Sequence, residues 1–275
     1  MEYTYDSKIW SWLSVDPLAE KQPDVSPYAY VNNNPVRYID PDGRFLFDVH
    51  NRILTNAINM MKTSFSKDIL AGMGYNNKIY RGGIVFPDLR GVGPFSGKYD
   101  KHDHFDSMNK DQIATNFNRI GSEANMLIKQ FKSGLISEND FGFGIGEQVH
   151  AIQDFYSHSN FVELFEEAGG DINGFIPTYE EVMNGNNYSK LKDLINSGRL
   201  FTGEYDEENH KRGPGSHQVM NKDQGKGSSL NFRGFLSEFL IEDAHNKAPT
   251  PQSRAAERAA ERATFQFLRR VRDDL

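Results

Sequence analysis

His150, Asp154 and His158 stand at four-residue intervals in the stretch GEQVHAIQDFYSHSN, residues 146–160. On an α-helix each four-residue step displaces a side chain by only about 40° around the axis, so the three form one polar stripe. Imidazole nitrogens and carboxylate oxygens are both ligands for zinc, and i,i+4 spacing lets two side chains reach one ion. His150 and His158 lie about 12 Å apart at about 1.5 Å per residue, too far to share an ion easily. Asp154 lies between them and has two oxygens. The spacing suggests His150 with Asp154 on one ion, and Asp154 with His158 on a second, with Asp154 as the bridge. Without a metal, the same stripe is a row of polar side chains making ordinary hydrogen bonds. Spacing alone does not separate these readings.

The stripe needs a helix, predicted from about residue 142 to 167. Ile145, Val149, Ile152 and Tyr156 lie opposite it, and Phe161 and Phe165 continue it. A face that turns aromatic is expected to be buried or to line a cleft, where ionisable groups need partners. Gln153, Ser157 and Asn160 form a narrower strip, predicted to face solvent. Four further helices are predicted. Residues 46–63 carry His50, Ile53, Leu54, Ala57, Ile58 and Met61 on one face. Residues 110–134 bury Ile113, Phe117, Ile120, Ala124, Leu127, Ile128 and Phe131, with Asn109 and Gln112 as a capping box. Residues 230–247 and 251–273 supply the last two, the second opened by Pro251 and bearing Arg and Glu on a predicted solvated face. Residues 76–106 are punctuated by Gly and Pro. Residues 168–212 read as an insertion with short helices at 179–183 and 188–197, placed to form a wall of a site. His102 and His210 are expected to be exposed.

The chain has 275 residues, a formal net charge of −7 and no cysteine. The length suits one large domain with an appendage. The acidic balance disfavours a protein that grips nucleic-acid phosphates with Lys and Arg, so no stable nucleic-acid complex is expected. Any metal must be held by His, Asp, Glu, water or backbone. The sequence shows no signal-peptide pattern and no apolar run long enough to span a bilayer. Secretion, or delivery to a target cell, would therefore rest on a specialised secretion system.

The segment GEQVHAIQDFYSHSNFVEL resembles the signature helix of the heterokaryon-incompatibility Het-C group, which is related to zinc-dependent phospholipases C and fungal single-strand-specific nucleases. The resemblance spans the H-x-x-x-D-x-x-x-H core and the HSNFVEL continuation. It implies an all-α, multi-helix, zinc-dependent phospholipase C-like fold over residues 45–275. It also implies ligands beyond the helix. His50, otherwise a core histidine at the end of an apolar face, matches a ligand from an early helix. Asp88 in PDLR and His104 in KHDHFD match a loop Asp and a His before Phe. His217 in GSHQVMNKDQ matches a late His. In the phospholipases that late His is followed four residues on by a carboxylate; here Asn221 occupies the position.

Residues 1–44 differ from the rest, being rich in Pro, Asn, Asp and Tyr, with short strands predicted at 28–31 and 37–39. Residues 8–44 resemble the end of an Rhs repeat-associated core, and PVRYIDPDG (35–43) fits its P-x-x-x-x-D-P-x-G boundary motif. This resemblance implies a turn- and β-rich tail of an encapsulating shell, followed by the toxin of a polymorphic toxin system with a cognate immunity protein. Such shells often cleave themselves near this motif; Arg44 follows it here in place of the frequent Leu.

Together the resemblances imply a cluster of His50, Asp88, His104, His150, Asp154, His158 and His217 around two or three zinc ions. The ions would acidify a water and neutralise a phosphodiester's charge. Asp88 could instead orient the water as a base, and Asp154 would bridge. The expected activity is phospholipase C-like hydrolysis of phospholipids. A single-strand nuclease-like phosphodiesterase and a non-catalytic, metal-stabilised interaction or membrane-perturbing module are the alternatives. The resembled phospholipases also use an N-terminal Trp as a ligand, whereas Trp10 and Trp12 here are internal. Cleavage near Gly43 would free a different amine.

Overall fold

The computed structural model describes residues 49–61, 65–76, 82–89, 100–203 and 250–275, together with the backbone of two short strands. The strands, β1 (Tyr5–Asp6) and β2 (Ser11–Trp12), pair antiparallel with Tyr5 opposite Trp12. The strands predicted at 28–31 and 37–39, the boundary motif, the helix at 230–247, His210 and His217 lie outside the described residues. What is described is predominantly α-helical, as an all-α fold requires. No helix among the described residues is long and apolar enough to cross a membrane.

The central element is α5 (Glu138–His158). It is longer at its start than the predicted helix, because Ser137 and Asp140 form a reciprocal capping box that begins it before Gly142. It also ends earlier. Ser159 turns extended and bridges to Thr202, and the Asn160 side chain donates to the Arg199 carbonyl and accepts from the Phe201 amide. The chain then resumes as α6 (Phe161–Glu167). The predicted solvent strip is corrected as well. Gln153 and Ser157 are buried and Asn160 is half-buried, because neighbouring helices cover this part of α5.

Those helices are α1 (Val49–Asn59), α2 (Lys67–Met73), α4 (Lys110–Lys132) and α9 (Pro251–Asp273), with α3 (Phe86–Leu89) a short turn beside α5. α2, α4 and α9 pack directly on α5, and α1 lies against α9. The approach of α2 is close enough to require glycine: a Cβ on Gly142 would fall 2.1 Å from the Ile69 carbonyl oxygen. α1 buries the predicted face, His50 included. α4 carries the predicted Asn109–Gln112 capping box. α9 has Pro251 in its first turn. Its charged face is not simply solvated. Arg262 pairs with Glu181, Glu257 accepts from Arg52, and Glu261 accepts from Asn56.

The predicted short helices of the insertion form as α7 (Tyr179–Asn184) and α8 (Ser189–Leu194). α8 runs on into one wide turn, Ile195–Arg199, which Gly198 ends at φ 87°. Residues 201–203 then pass between the end of α5 and the loop before α4. Thr202 N–H donates to the Met108 carbonyl, and Gly203 N–H donates to the His158 carbonyl.

Candidate metal centre

Three separate pieces of chain converge on the Asp154 carboxylate. His50, in the first turn of α1, places Nε2 3.0 Å from Asp154 Oδ1. His150, one turn before Asp154 on α5, places Nε2 3.2 Å from Oδ2. His104, on the loop before α4, directs Nδ1 to Oδ2 at 2.9 Å. The His50 and His150 rings lie 4.3 Å apart, and the His104 ring stands perpendicular to that of His150. His150 is 0% exposed, Asp154 1%, and His50 and His104 5% each.

The outer nitrogens determine what the inner ones can do. His150 Nδ1 lies 2.9 Å from the Ile84 carbonyl oxygen, which can only accept, so Nδ1 carries the proton. His50 Nδ1 donates in the same way to Gln153 Oε1 at 2.8 Å. In their neutral forms both imidazoles therefore turn an Nε2 lone pair toward carboxylate oxygens about 3 Å away, with His150 Nε2 also 3.4 Å from His104 Nδ1. Lone pair facing lone pair in a dry interior is repulsive unless protons or a cation stand between them. Asp154 Oδ1 accepts no aligned hydrogen bond among the described residues, despite its closeness to His50. An imidazole whose outer N–H is tied to a carbonyl or amide oxygen is the usual arrangement of a metal-binding histidine.

Each second partner is itself fixed. Ile84 belongs to a short segment held against the end of α2, with Gly83 N–H donating to the Gly72 carbonyl and Ile84 N–H to that of Met73. Gln153 spans to α9, where its Nε2 donates to Thr264 Oγ1 at 3.3 Å. His104 is delivered by a turn whose Phe105 side chain is fully buried against Phe117 and Phe155.

Burial by itself would raise the pKa of the Asp154 carboxyl. Positive charge on His150, His158 and His50 when they are protonated, with the hydrogen bond from His104, outweighs burial and holds it well below the usual carboxylate range. His50, His150 and Asp154 offer ligand atoms that all lie within 4.8 Å of one another, so this buried group could hold a metal ion.

The predicted site residues divide as follows. His50, His104, His150 and Asp154 are brought together. His158 lies one turn further along α5, with Nδ1 3.9 Å from Asp106 Oδ1. Asp88 falls within α3, and its side chain, like His217, lies outside the described residues. His102 is exposed and bonded to Asp100, as expected. The sequence reading missed Gln153, which it assigned to solvent. The signal for Gln153 was its position between His150 and Asp154 on a helix with polar residues on two faces. The Ile84 carbonyl left no side-chain signal. No family model, curated protein or solved structure matches the chain.

Proposed function

We propose that the helical region is a zinc-dependent phosphoesterase of the phospholipase C-like kind, acting as the toxin portion of an Rhs-type polymorphic toxin. One observation carries the metal part of this reading: two imidazole lone pairs and a carboxylate, from α1 and α5, face one another in a dry interior, each imidazole fixed through its other nitrogen. A donor set of nitrogen and oxygen without sulfur suits zinc or another first-row divalent ion better than calcium or magnesium, which prefer oxygen alone. A bound divalent ion would supply Lewis acidity and an acidified water. The chain's own residues do the positioning. Ile84 and Gln153 set the imidazole tautomers, and His104 orients the carboxylate. The phosphodiester substrate, the toxin role, delivery by a secretion system and a cognate immunity protein rest on the sequence resemblances alone.

The test is metal analysis of the purified full chain, followed by assays on phosphatidylcholine vesicles and on single-stranded DNA. Zinc-dependent release of phosphocholine is expected, and it should be abolished by His150→Ala and by Asp154→Ala. Hydrolysis of the DNA alone would move the assignment to the nuclease-like alternative.

The burial of the group favours a second reading. With Asp154 and His150 essentially closed to solvent, a bound ion could serve to hold α1 against α5 rather than to meet a substrate. In that case the chain binds metal stoichiometrically, loses stability with a chelator and hydrolyses neither substrate.

A further inference from the structure

We infer that Arg119 of α4 is a positioning residue for the Asp154 group: with Asn116, it fixes the turn that delivers His104 to the carboxylate. The inference deepens the metal reading above and rests on it for its functional meaning.

His104 sits in a turn, residues 100–106, whose internal backbone bonds are short-range. Asp103 N–H donates to the Asp100 carbonyl, and Asp106 N–H to that of Lys101. Bonds of that kind shape a turn but do not fix it against another element. α4 supplies the fixing. Asn116, Arg119 and Glu123 stand at i, i+3 and i+7 and share one face of that helix. Asn116 is 1% exposed, and its Nδ2 donates to the His102 carbonyl at 2.7 Å. Arg119 Nη2 donates to the same carbonyl at 3.2 Å and to Asp103 Oδ1 at 3.3 Å. The two bonds together use both lone pairs of that carbonyl.

The rest of the guanidinium is held by α4 itself. Nε donates to Asn116 Oδ1 at 2.8 Å, and Nη1 to the two Glu123 carboxylate oxygens at 3.0 and 3.1 Å. A planar fork tied down at Nε and Nη1 leaves Nη2 aimed at the turn. An ion pair with a buried partner contributes little net stability once desolvation is counted. Here it fixes a backbone carbonyl two residues before His104. His104 Nδ1 then reaches Asp154 Oδ2 at 2.9 Å, and because a carboxylate only accepts, Nδ1 carries the proton.

The chain is also held just after His104. Phe105 has φ 51°, a left-handed conformation that is uncommon for residues other than glycine and persists only where the surroundings enforce it. Its buried ring packs on Phe117 of the same helix. α4 therefore grips the turn on both sides of the imidazole, by polar contacts before it and an aromatic contact after it.

The experiment uses the full-length chain and two readouts. In chelator-treated protein, proton NMR follows the ring N–H resonances of His104 and His150, each assigned by its loss in His104→Gln or His150→Gln. Competition titration gives the zinc affinity. Arg119→Met is compared with the wild type and with Arg270→Met, which removes an exposed pair with Glu180 between α9 and α7. In Arg119→Met the His104 resonance should vanish through exchange with water, while that of His150, tied to the Ile84 carbonyl, stays. Zinc affinity should fall by about 10-fold, the lower end of what losing an outer partner costs. Arg270→Met should match the wild type in both readouts. Arg119→Lys keeps the charge but not the fork; it should show the same His104 change, and it supplies the reading should Arg119→Met not fold by circular dichroism. A His104 resonance unchanged in a folded variant overturns the proposal, as does its loss with zinc affinity still at the wild-type value. Joint loss of the His104 and His150 resonances, or failure of both variants to fold, also overturns it and marks Arg119 as general support of the core. A wild type that binds no zinc overturns the metal reading, and the NMR comparison then decides by itself whether Arg119 holds His104.

Discussion

Gln153 Oε1 accepts from His50 Nδ1 at 2.8 Å, while the amide nitrogen of the same side chain donates to Thr264 on α9. One buried glutamine thus connects α1, α5 and α9 and determines which nitrogen of His50 faces Asp154. Gln153→Leu is expected to leave the helical content intact and to weaken metal affinity by about 10- to 100-fold, the usual cost of losing such a partner. Gln153→Glu keeps an acceptor and should retain more affinity. Competition titration against a chromophoric chelator measures both; equal affinity in Gln153→Leu and wild type would falsify the positioning role.

Asp154→Asn keeps the shape and removes the charge on which three histidines converge. Removing one partner from a buried charged group costs about 3–5 kcal/mol. The variant should unfold at correspondingly lower urea and should not recover stability on addition of zinc. Urea titrations with and without the ion check this. A variant as stable as the wild type, and still stabilised by zinc, would place the binding group elsewhere.

The depressed pKa of Asp154 gives a pH dependence with a definite sign. Its folded-state value lies below the unfolded value of about 3.9, so between the two the unfolded chain binds the proton more readily. The stabilisation is fully present above about pH 4 and is lost as the pH falls toward the folded-state value. In chelator-treated protein, the stability difference between wild type and Asp154→Asn should shrink through that acidic window. A difference that stays constant from about pH 6 to about pH 3 contradicts the assignment.

The close approach of α5 to the 83–84 segment links packing to the site. A Cβ on Gly146 would lie 2.8 Å from the Ile84 nitrogen and 2.9 Å from the Met73 carbonyl oxygen, both backbone atoms that cannot swing aside. Gly146→Ala should cost about 1–3 kcal/mol, as overpacking does. It should also weaken metal binding, because the Ile84 carbonyl that holds His150 must shift. Thermal unfolding and zinc titration read the two effects separately.

Much of the scaffold is legible in the one-dimensional pattern. The apolar face of α1, the Asn109–Gln112 cap of α4, and Pro251 at the start of α9 are local features, governed by helix period and by the unsatisfied amides of a helix end. The i,i+4 placement of His150 and Asp154 is equally local and survives in three dimensions. What failed was the assignment of faces. Gln153 and Ser157 look like a solvent strip because periodicity says which residues share a side of a helix, but not how many neighbours that helix has. α5 is enclosed by α2, α4 and α9, so its polar residues have only protein to pair with. The break after His158 was also unreadable in sequence, since it depends on Ser159 and Asn160 bonding to residues 199–202. Residue types and helical period therefore determined that a histidine–aspartate stripe exists. Long-range packing decided that His50 and His104 face Asp154, that the Ile84 carbonyl and Gln153 aim the imidazoles, and that Asp106 stands opposite His158, because each of these contacts joins groups that no local period relates.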